Sequence, residues 1–490
     1  MFKSKSKTKS TSSDKLGVLG LAAIVISSMI GGGIYSLPQN MAQAASVGAV
    51  LLAWVVTGIG MYFVANTFRI LSTVKPKLTS GIYMYSREGF GNYMGFNIGW
   101  SYWLCQIFGN VGYAVITMDA LNYFFPGTFT GGNNLYSIIG GSILIWGFNI
   151  LVLRGVKQAT IINLIATVFK IVPLILFIIV LIFMFNIDRF DFDFWGEGIL
   201  GKTKSLGSIG AQLKSTMLVT LWAFIGIEGA VVLSSRAKSQ DTVSKATLLG
   251  FLGCLIIYVL LSVVPYGFLS QAQLATISNP STAGILKLAV GSWGAWIMNI
   301  GLLVAVLASW LAWTLIVIEM PYAMAQNRTF PKVFAKSNKN DTPNVSLWVT
   351  SIIMQLAMFL VYFSSNAWNT MLSITSVMVL PAYLASTCYL WKICEDGEFN
   401  TKAGIGRAFA LFTSVMGTLY ALWLIYAAGL KYLLLAVVFI AVGIPVYIWA
   451  RKEVSRKGSV FTSCEKCLVG IILLISIVAI YIFARGIISV

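Results

Sequence analysis

Apolar runs of about 18–30 residues recur along the whole of this chain, and no other feature limits its fold so strongly. A helix of that length crosses roughly 30 Å of hydrocarbon. The runs fall at approximately 16–37, 47–70, 95–124, 137–153, 159–186, 208–234, 247–269, 290–320, 346–364, 370–391, 408–428, 432–450 and 467–488. They are continuous rather than alternating over ten-residue windows, which indicates helices and not barrel strands. About thirteen transmembrane helices in an all-α polytopic membrane protein are therefore expected. Composition agrees: 58% of residues are hydrophobic, 10% are charged and the mean hydropathy is +0.84. The first run lacks an A-x-A site and is expected to remain a helix rather than leave as a signal peptide.

A net charge of +18 could mark a nucleic-acid binder, so its distribution decides the matter. With the Lys-rich start (Lys3, Lys5, Lys7, Lys9, Lys15) inside and sides alternating at each span, 26 of the 34 basic residues fall on one side. Seven fall on the other, with the acidic stretch DRFDFDFWGE at 188–197. This is the positive-inside asymmetry. It places the N-terminus in the cytoplasm and the C-terminus outside the plasma membrane, and it removes the case for nucleic acid. The chain has no histidine, which excludes bis-His haem ligation, His-rich metal sites and histidine acid–base work. The six cysteines include one CEKC at 464–467, a weak redox or zinc signal without a second pair. No cofactor and no metal are expected.

Residues 1–15 form a Ser/Lys/Thr tail expected to be disordered and cytoplasmic. No connection is long enough for a soluble catalytic domain, so function must reside within the membrane. Two spans carry their own interruption. The first contains SSMIGGGIYSLPQN (27–40), where each interior glycine costs a helix roughly 0.8–1 kcal/mol relative to alanine. The sixth contains LWAFIGIEGAVV (221–232), with two glycines and a carboxylate. Broken helices five apart point to two inverted five-helix repeats with a midplane site. Residues 16–186 and 208–391 would be the repeats, and 408–490 would carry helices 11–13. Unwound backbone is tolerated at that depth where it lines a cavity, and a half-helix N-terminus there can hold a carboxylate. The plainer alternative is a GxxxG-like packing contact.

SSMIGGGIYSLPQNMA and LWAFIGIEGA resemble the first and sixth helices of the amino acid–polyamine–organocation superfamily, in its basic amino acid/polyamine antiporter branch. GYAVITMDALNYFFP (112–126), KPKLTSGIYMYSREGFG (75–91) and PYAMAQNRTFPKVFAKSNKNDTPNVS (321–346) fit the same family in order along the chain. Within the branch the likeness is to arginine/ornithine and histidine/histamine antiporters. The resemblance implies the leucine-transporter fold, with substrate between helices 1, 3, 6, 8 and 10. It places Ser28, Ile30, Gly31, Gly32 and Gly33 at the substrate carboxylate, and Ile225, Gly226 and Ile227 at the α-amine. Trp222 would cover a cationic side chain, and Trp313 would line the far end of the pocket. In helix 3, Tyr102, Cys105, Gln106 and Asn110 share one face by spacing. Gln106 and Asn110 offer neutral donors and acceptors. In helix 10, Thr375 and Ser376 would reach the distal end of the substrate, and Tyr383 would gate.

Two ionisable groups lie deep in apolar spans, each costing about 2.5–3.5 kcal/mol at a helix centre on insertion scales. Glu228 follows the second break, where the family uses a glutamate to couple gate and substrate; a hydrogen-bonded structural carboxyl is the alternative. Lys170 resembles the helix 5 lysine that stands at the sodium site of sodium-independent relatives; a lysine snorkelling to the surface is the alternative. Glu319 is expected to pair with a loop base. The implied function is a sodium-independent antiporter, not an enzyme, that exchanges a cationic amino acid for its metabolic product. Arginine is the first choice, against ornithine or the corresponding amine. Histidine/histamine exchange, lysine/amine exchange and proton-coupled symport stay open. The partners expected are amino acid and amine substrates and the lipid bilayer, with a homodimer also open.

Overall fold

The computed structural model describes positions 18, 22, 25 and 26 and residues 29–78, 81–154, 159–198, 205–228, 240–340, 342–399, 404–454 and 459–488. Side chains at 159–168, 240, 241, 243 and 244 are outside that description. The tail at 1–15, Ser28 and the stretch after Glu228 therefore lie outside the described residues.

After a 3-10 turn at Gly32–Ser36 the helices are α1 (Leu37–Ala44), α2 (Val47–Val74), α3 (Ile82–Phe90), α4 (Asn92–Phe124), α5 (Leu135–Leu153) and α6 (Ala159–Phe183). A short α7 (Ile187–Asp191) leads to α8 (Ile209–Ala223) and α9 (Gln240–Val263). Then come α10 (Gln271–Thr276), α11 (Ser281–Val290), α12 (Ser292–Gln326), α13 (Asn344–Val361) and α14 (Ala367–Glu395). The series ends with α15 (Arg407–Val442), α16 (Ile444–Val454) and α17 (Ser463–Ala484). Nine helical stretches among the described residues are long and apolar enough to cross a membrane, with 407–454 taken as one. That stretch kinks at Gly429, whose φ of 77° no helix interior adopts. The kink divides the expected spans 408–428 and 432–450. The expected first and sixth spans fall on interrupted helices, and the fifth on α6.

α4 is buried on nearly every face and forms the axis of the molecule, packed against α3, α5, α12 and α14. The outer surface inverts a soluble protein's pattern. Val55, Ile59, Ile143, Leu474 and Ile477 all point outward, as lipid-facing residues do. Close approach between helices uses small residues, as membrane packing requires. Gly99 lies against Met324, Gly60 against the Tyr420 ring, and Gly417 against Thr387. Buried hydroxyls and indoles then link helices. Thr57 Oγ1 donates to Thr220 Oγ1 at 2.8 Å, Trp54 Nε1 to Ser262 Oγ at 2.6 Å and Trp103 Nε1 to Thr350 Oγ1 at 3.0 Å. α17 is held mainly by α15, where Ser476 Oγ donates to the Val437 carbonyl at 3.2 Å.

Three charged or thiol features find their place here. Arg87 donates to Asn92 Oδ1 (2.9 Å) and Asn327 Oδ1 (3.2 Å), joining the α3–α4 corner to the end of α12. Glu319 corrects the reading of a paired carboxylate. It is exposed on α12, and the one ion pair among the described residues is Lys75–Glu398 at 2.8 Å. Cys464 and Cys467 are exposed and not disulfide-bonded.

Candidate functional site: a cavity between two broken helices

The first helix makes its last regular bond from Ile30 N to the Ile26 carbonyl at 2.8 Å. Gly31 N then turns to the Met29 carbonyl at 3.0 Å, and Gly31 is extended (φ −95°, ψ −173°) before the 3-10 turn restores helical curvature. Pro38 in the first turn of α1 fits there because its missing N–H would be unpaired anyway. The turn is anchored from outside. The Tyr35 carbonyl accepts from Thr282 Oγ1 at 2.9 Å, and Tyr35 OH donates to the Lys170 carbonyl at 3.0 Å.

The second break follows Ala223. Residues 224–228 replace helical bonds by short ones: Phe224 N to Leu221 O (3.0 Å), Ile225 N to Trp222 O (3.2 Å) and Ile227 N to Phe224 O (3.2 Å). Gly226 takes φ +108°, which only glycine adopts without strain.

Between the breaks lies a cavity of about 460 Å³. Met29 and Gly31 line it from the first break, Trp222 and Ile225 from the second, Trp313 from α12 and Thr375 from α14. α4 supplies Cys105, Gln106, Gly109, Asn110 and Tyr113, a single helical face. Both amide atoms of Gln106, both of Asn110 and Thr375 Oγ1 are buried with no hydrogen-bond partner among the described residues. Buried polar atoms are nearly always bonded, so such a concentration around one cavity marks a place for a polar ligand. Among the described residues that line it, the Cys105 thiol and the Tyr113 phenol are the only ionisable groups.

Eight sequence-chosen binding residues thus meet at the cavity: Gly31, Cys105, Gln106, Asn110, Trp222, Ile225, Trp313 and Thr375. Ile30, Gly32, Gly33, Gly226 and Ile227 lie in the breaks but not on its wall. Ser376 corrects the helix 10 expectation. Its hydroxyl bonds to the Leu218 (2.9 Å) and Leu372 (2.8 Å) carbonyls, tying α14 to α8, so the register favours Thr375. Four residues near the cavity escaped the sequence reading. Met29, Gly109 and Tyr113 line it, and Trp368 packs edge-on against Trp222 at 5.4 Å. Their types are common in membrane helices, and no spacing rule isolates them.

Beside the cavity Glu228, Tyr102 and Tyr383 converge. The Glu228 carboxylate accepts from Tyr102 OH at 2.5 Å, from Tyr383 OH at 3.3 Å and from Gly226 N at 3.2 Å. All three side chains are buried. One carboxylate thereby joins α4, α14 and the second break, which is how a buried acid is tolerated. Lys170 is 1% exposed, which rules out a side chain snorkelling to the surface. One turn on, Pro173 packs against Gly301 of α12 beside the Tyr35 hydroxyl, so Lys170 belongs to the junction of the first helix, α6 and α12.

Comparison with known proteins gives a consistent picture. An arginine/agmatine antiporter of Chlamydia pneumoniae is 60% identical over 481 residues, covering 98% of this chain and 99% of that protein. The protein of the same name from Chlamydia abortus is 60% identical over 475 residues (97% and 98%), and that from Chlamydia trachomatis serovar L2 is 56% identical over 471 (96% and 97%). The family model described as amino acid permease matches residues 16–447, taking in both breaks and every wall of the cavity. The chain belongs to the amino acid permease family.

Proposed function

We propose that the chain is a secondary transporter that exchanges arginine for its amine, agmatine, by alternating access, and does so without sodium. The observation that carries this reading is the make-up of the cavity: two helix breaks, two indoles and three neutral polar side chains around one space. A zwitterionic ligand with a cationic tail would be met group by group. Its carboxylate would face the first break (Ser28 and Ile30 to Gly33), where a half-helix N-terminus presents about +0.5 of partial charge. Its α-amine would face the carbonyls of Ile225, Gly226 and Ile227. The guanidinium would lie against Trp222 or Trp313, a contact worth about 0.5–2 kcal/mol when desolvated. Gln106, Asn110 and Thr375 would satisfy its N–H groups.

The names borne by the chlamydial relatives support agmatine over ornithine as the counter-substrate. Lys170, buried beside the first break, would supply the fixed positive charge that a sodium ion supplies elsewhere. Glu228 with Tyr102 and Tyr383 would couple occupancy to gate movement. The two five-helix repeats, 16–186 and 208–391, would provide the rocking halves. The charge asymmetry supports a plasma-membrane protein with a cytoplasmic N-terminus and an extracellular C-terminus. Amino acid and amine substrates and the lipid bilayer would be its partners, with a homodimer open. Labelled arginine uptake into sodium-free proteoliposomes tests the reading. Uptake should require internal agmatine; uptake driven by a proton gradient alone, or only with sodium, would overturn it.

A further inference from the structure

The wall that α4 gives to the cavity carries its polar groups at two levels. Gln106, Asn110 and Tyr113 recur at spacings of four and three, so they share one helical face. At 1.5 Å per residue, Gln106 and Tyr113 lie roughly 10 Å apart along the axis. The Tyr113 end meets the first break. Its hydroxyl oxygen lies 2.5 Å from the place a Cβ on Gly31 would take, nearer than Cζ at 3.3 Å or Cε1 at 3.4 Å. The ring therefore points its oxygen, not its edge, at the extended residue of the break. Glycine at 31 leaves the room that this approach needs, and both residues line the cavity. Tyr113 is 8% exposed, so a hydrogen bond made there competes with little water.

Agmatine is arginine without its α-carboxylate. The guanidinium is common to both, so Gln106 and Asn110 have nothing by which to tell the two apart. The difference falls at the other end of the α4 face. We infer that Tyr113 is the residue that distinguishes the two exchanged substrates: its hydroxyl donates a hydrogen bond to the carboxylate of arginine, and agmatine offers no acceptor there. The inference rests on the reading above that sets the carboxylate against the first break. A carboxylate only accepts, and a phenol O–H supplies the donor. Such a charge-assisted bond is stronger than a neutral one, and a site built to bond one group discriminates against the analogue that lacks it. The phenol thus sets the ratio of the two affinities, while the indoles and amides hold what both substrates share.

The test is isothermal titration calorimetry of the purified full-length protein, in sodium-free buffer at one pH, with arginine, agmatine and argininamide, whose carboxylate is replaced by a neutral amide. Tyr113→Phe keeps the ring and removes only the hydroxyl. It should weaken arginine roughly tenfold or more and leave agmatine and argininamide within about threefold of wild type. Unchanged agmatine binding also shows that the variant is folded. Equal weakening of arginine and agmatine would make Tyr113 a packing residue and overturn the inference, as would wild-type affinity for arginine. A loss for argininamide as large as that for arginine would place the contact elsewhere on the substrate and overturn it too. Wild-type protein that binds neither arginine nor agmatine would instead overturn the arginine–agmatine reading beneath it, a result distinct from all of these.

Discussion

The two helix breaks solve one problem by different means. At the first, glycine is required for space. Gly31 has an ordinary negative φ, yet a Cβ there would lie 2.5 Å from the Tyr113 hydroxyl. A Cβ on Gly32 would overlap Val306 and come within 3.1 Å of Leu302, and one on Gly33 would sit between the Trp222 and Trp368 indoles. At the second break, glycine is required for conformation, since Gly226 holds φ +108°. That break is also fixed electrostatically, by a carboxylate that reaches back to Gly226 N and out to two tyrosines. One break is thus shaped by what surrounds it and the other by a polar latch. The first should act as a cradle that decides binding, the second as a coupler that decides rate.

The strongest way to break this comparison is at Gly33. Alanine there has two indoles to displace, and overpacking of this kind costs about 1–3 kcal/mol, so Gly33→Ala should lose nearly all arginine exchange in proteoliposomes. The steric reading is sharpened at Gly32. Gly32→Ala should be impaired, and Val306→Ala, which removes the colliding methyls, should restore much of the thermal stability and uptake. Val306→Ala combined with Gly226→Ala should restore nothing, because that defect lies in the backbone.

The latch predicts smaller effects of a different kind. A hydrogen bond to a charged group contributes about 1.5–3 kcal/mol, so Tyr102→Phe should slow exchange roughly tenfold or more with little change in arginine affinity. Gly226→Ala places an L-residue at positive φ, at about 1–2 kcal/mol, and should slow exchange by a lesser factor. Tyr383→Phe removes the longer contact, 3.3 Å against 2.5 Å, and should be the mildest of the set in the same stopped-flow or initial-rate measurement.

Much of this was legible in the sequence because a membrane span is a uniform background. Three glycines, one lysine or one glutamate in an apolar run is an exception that demands a use. The breaks, Lys170, Glu228 and the amides of α4 all stood out in that way. Met29, Tyr113 and Trp368 did not, because methionine and aromatic residues are the background itself; only tertiary packing selects the ones that face the cavity. Ser376 was misjudged for a related reason. Neighbouring helical residues point about 100° apart, and Thr375 and Ser376 are both small and hydroxylated, so chemistry alone does not reveal which one faces inward. Glu319 shows the reverse error, since a charge near a helix end need not have a partner.

Cradle and latch separate most directly in equilibrium binding of labelled arginine to purified protein in sodium-free buffer. Wild type, Gly31→Ala and Glu228→Gln are compared at a single pH. A cradle at the first break predicts that Gly31→Ala loses measurable binding, while Glu228→Gln binds arginine within a few-fold of wild type and fails only in exchange rate. Wild-type affinity in Gly31→Ala, or an equal loss of affinity in both variants, would contradict the division of labour between the two breaks.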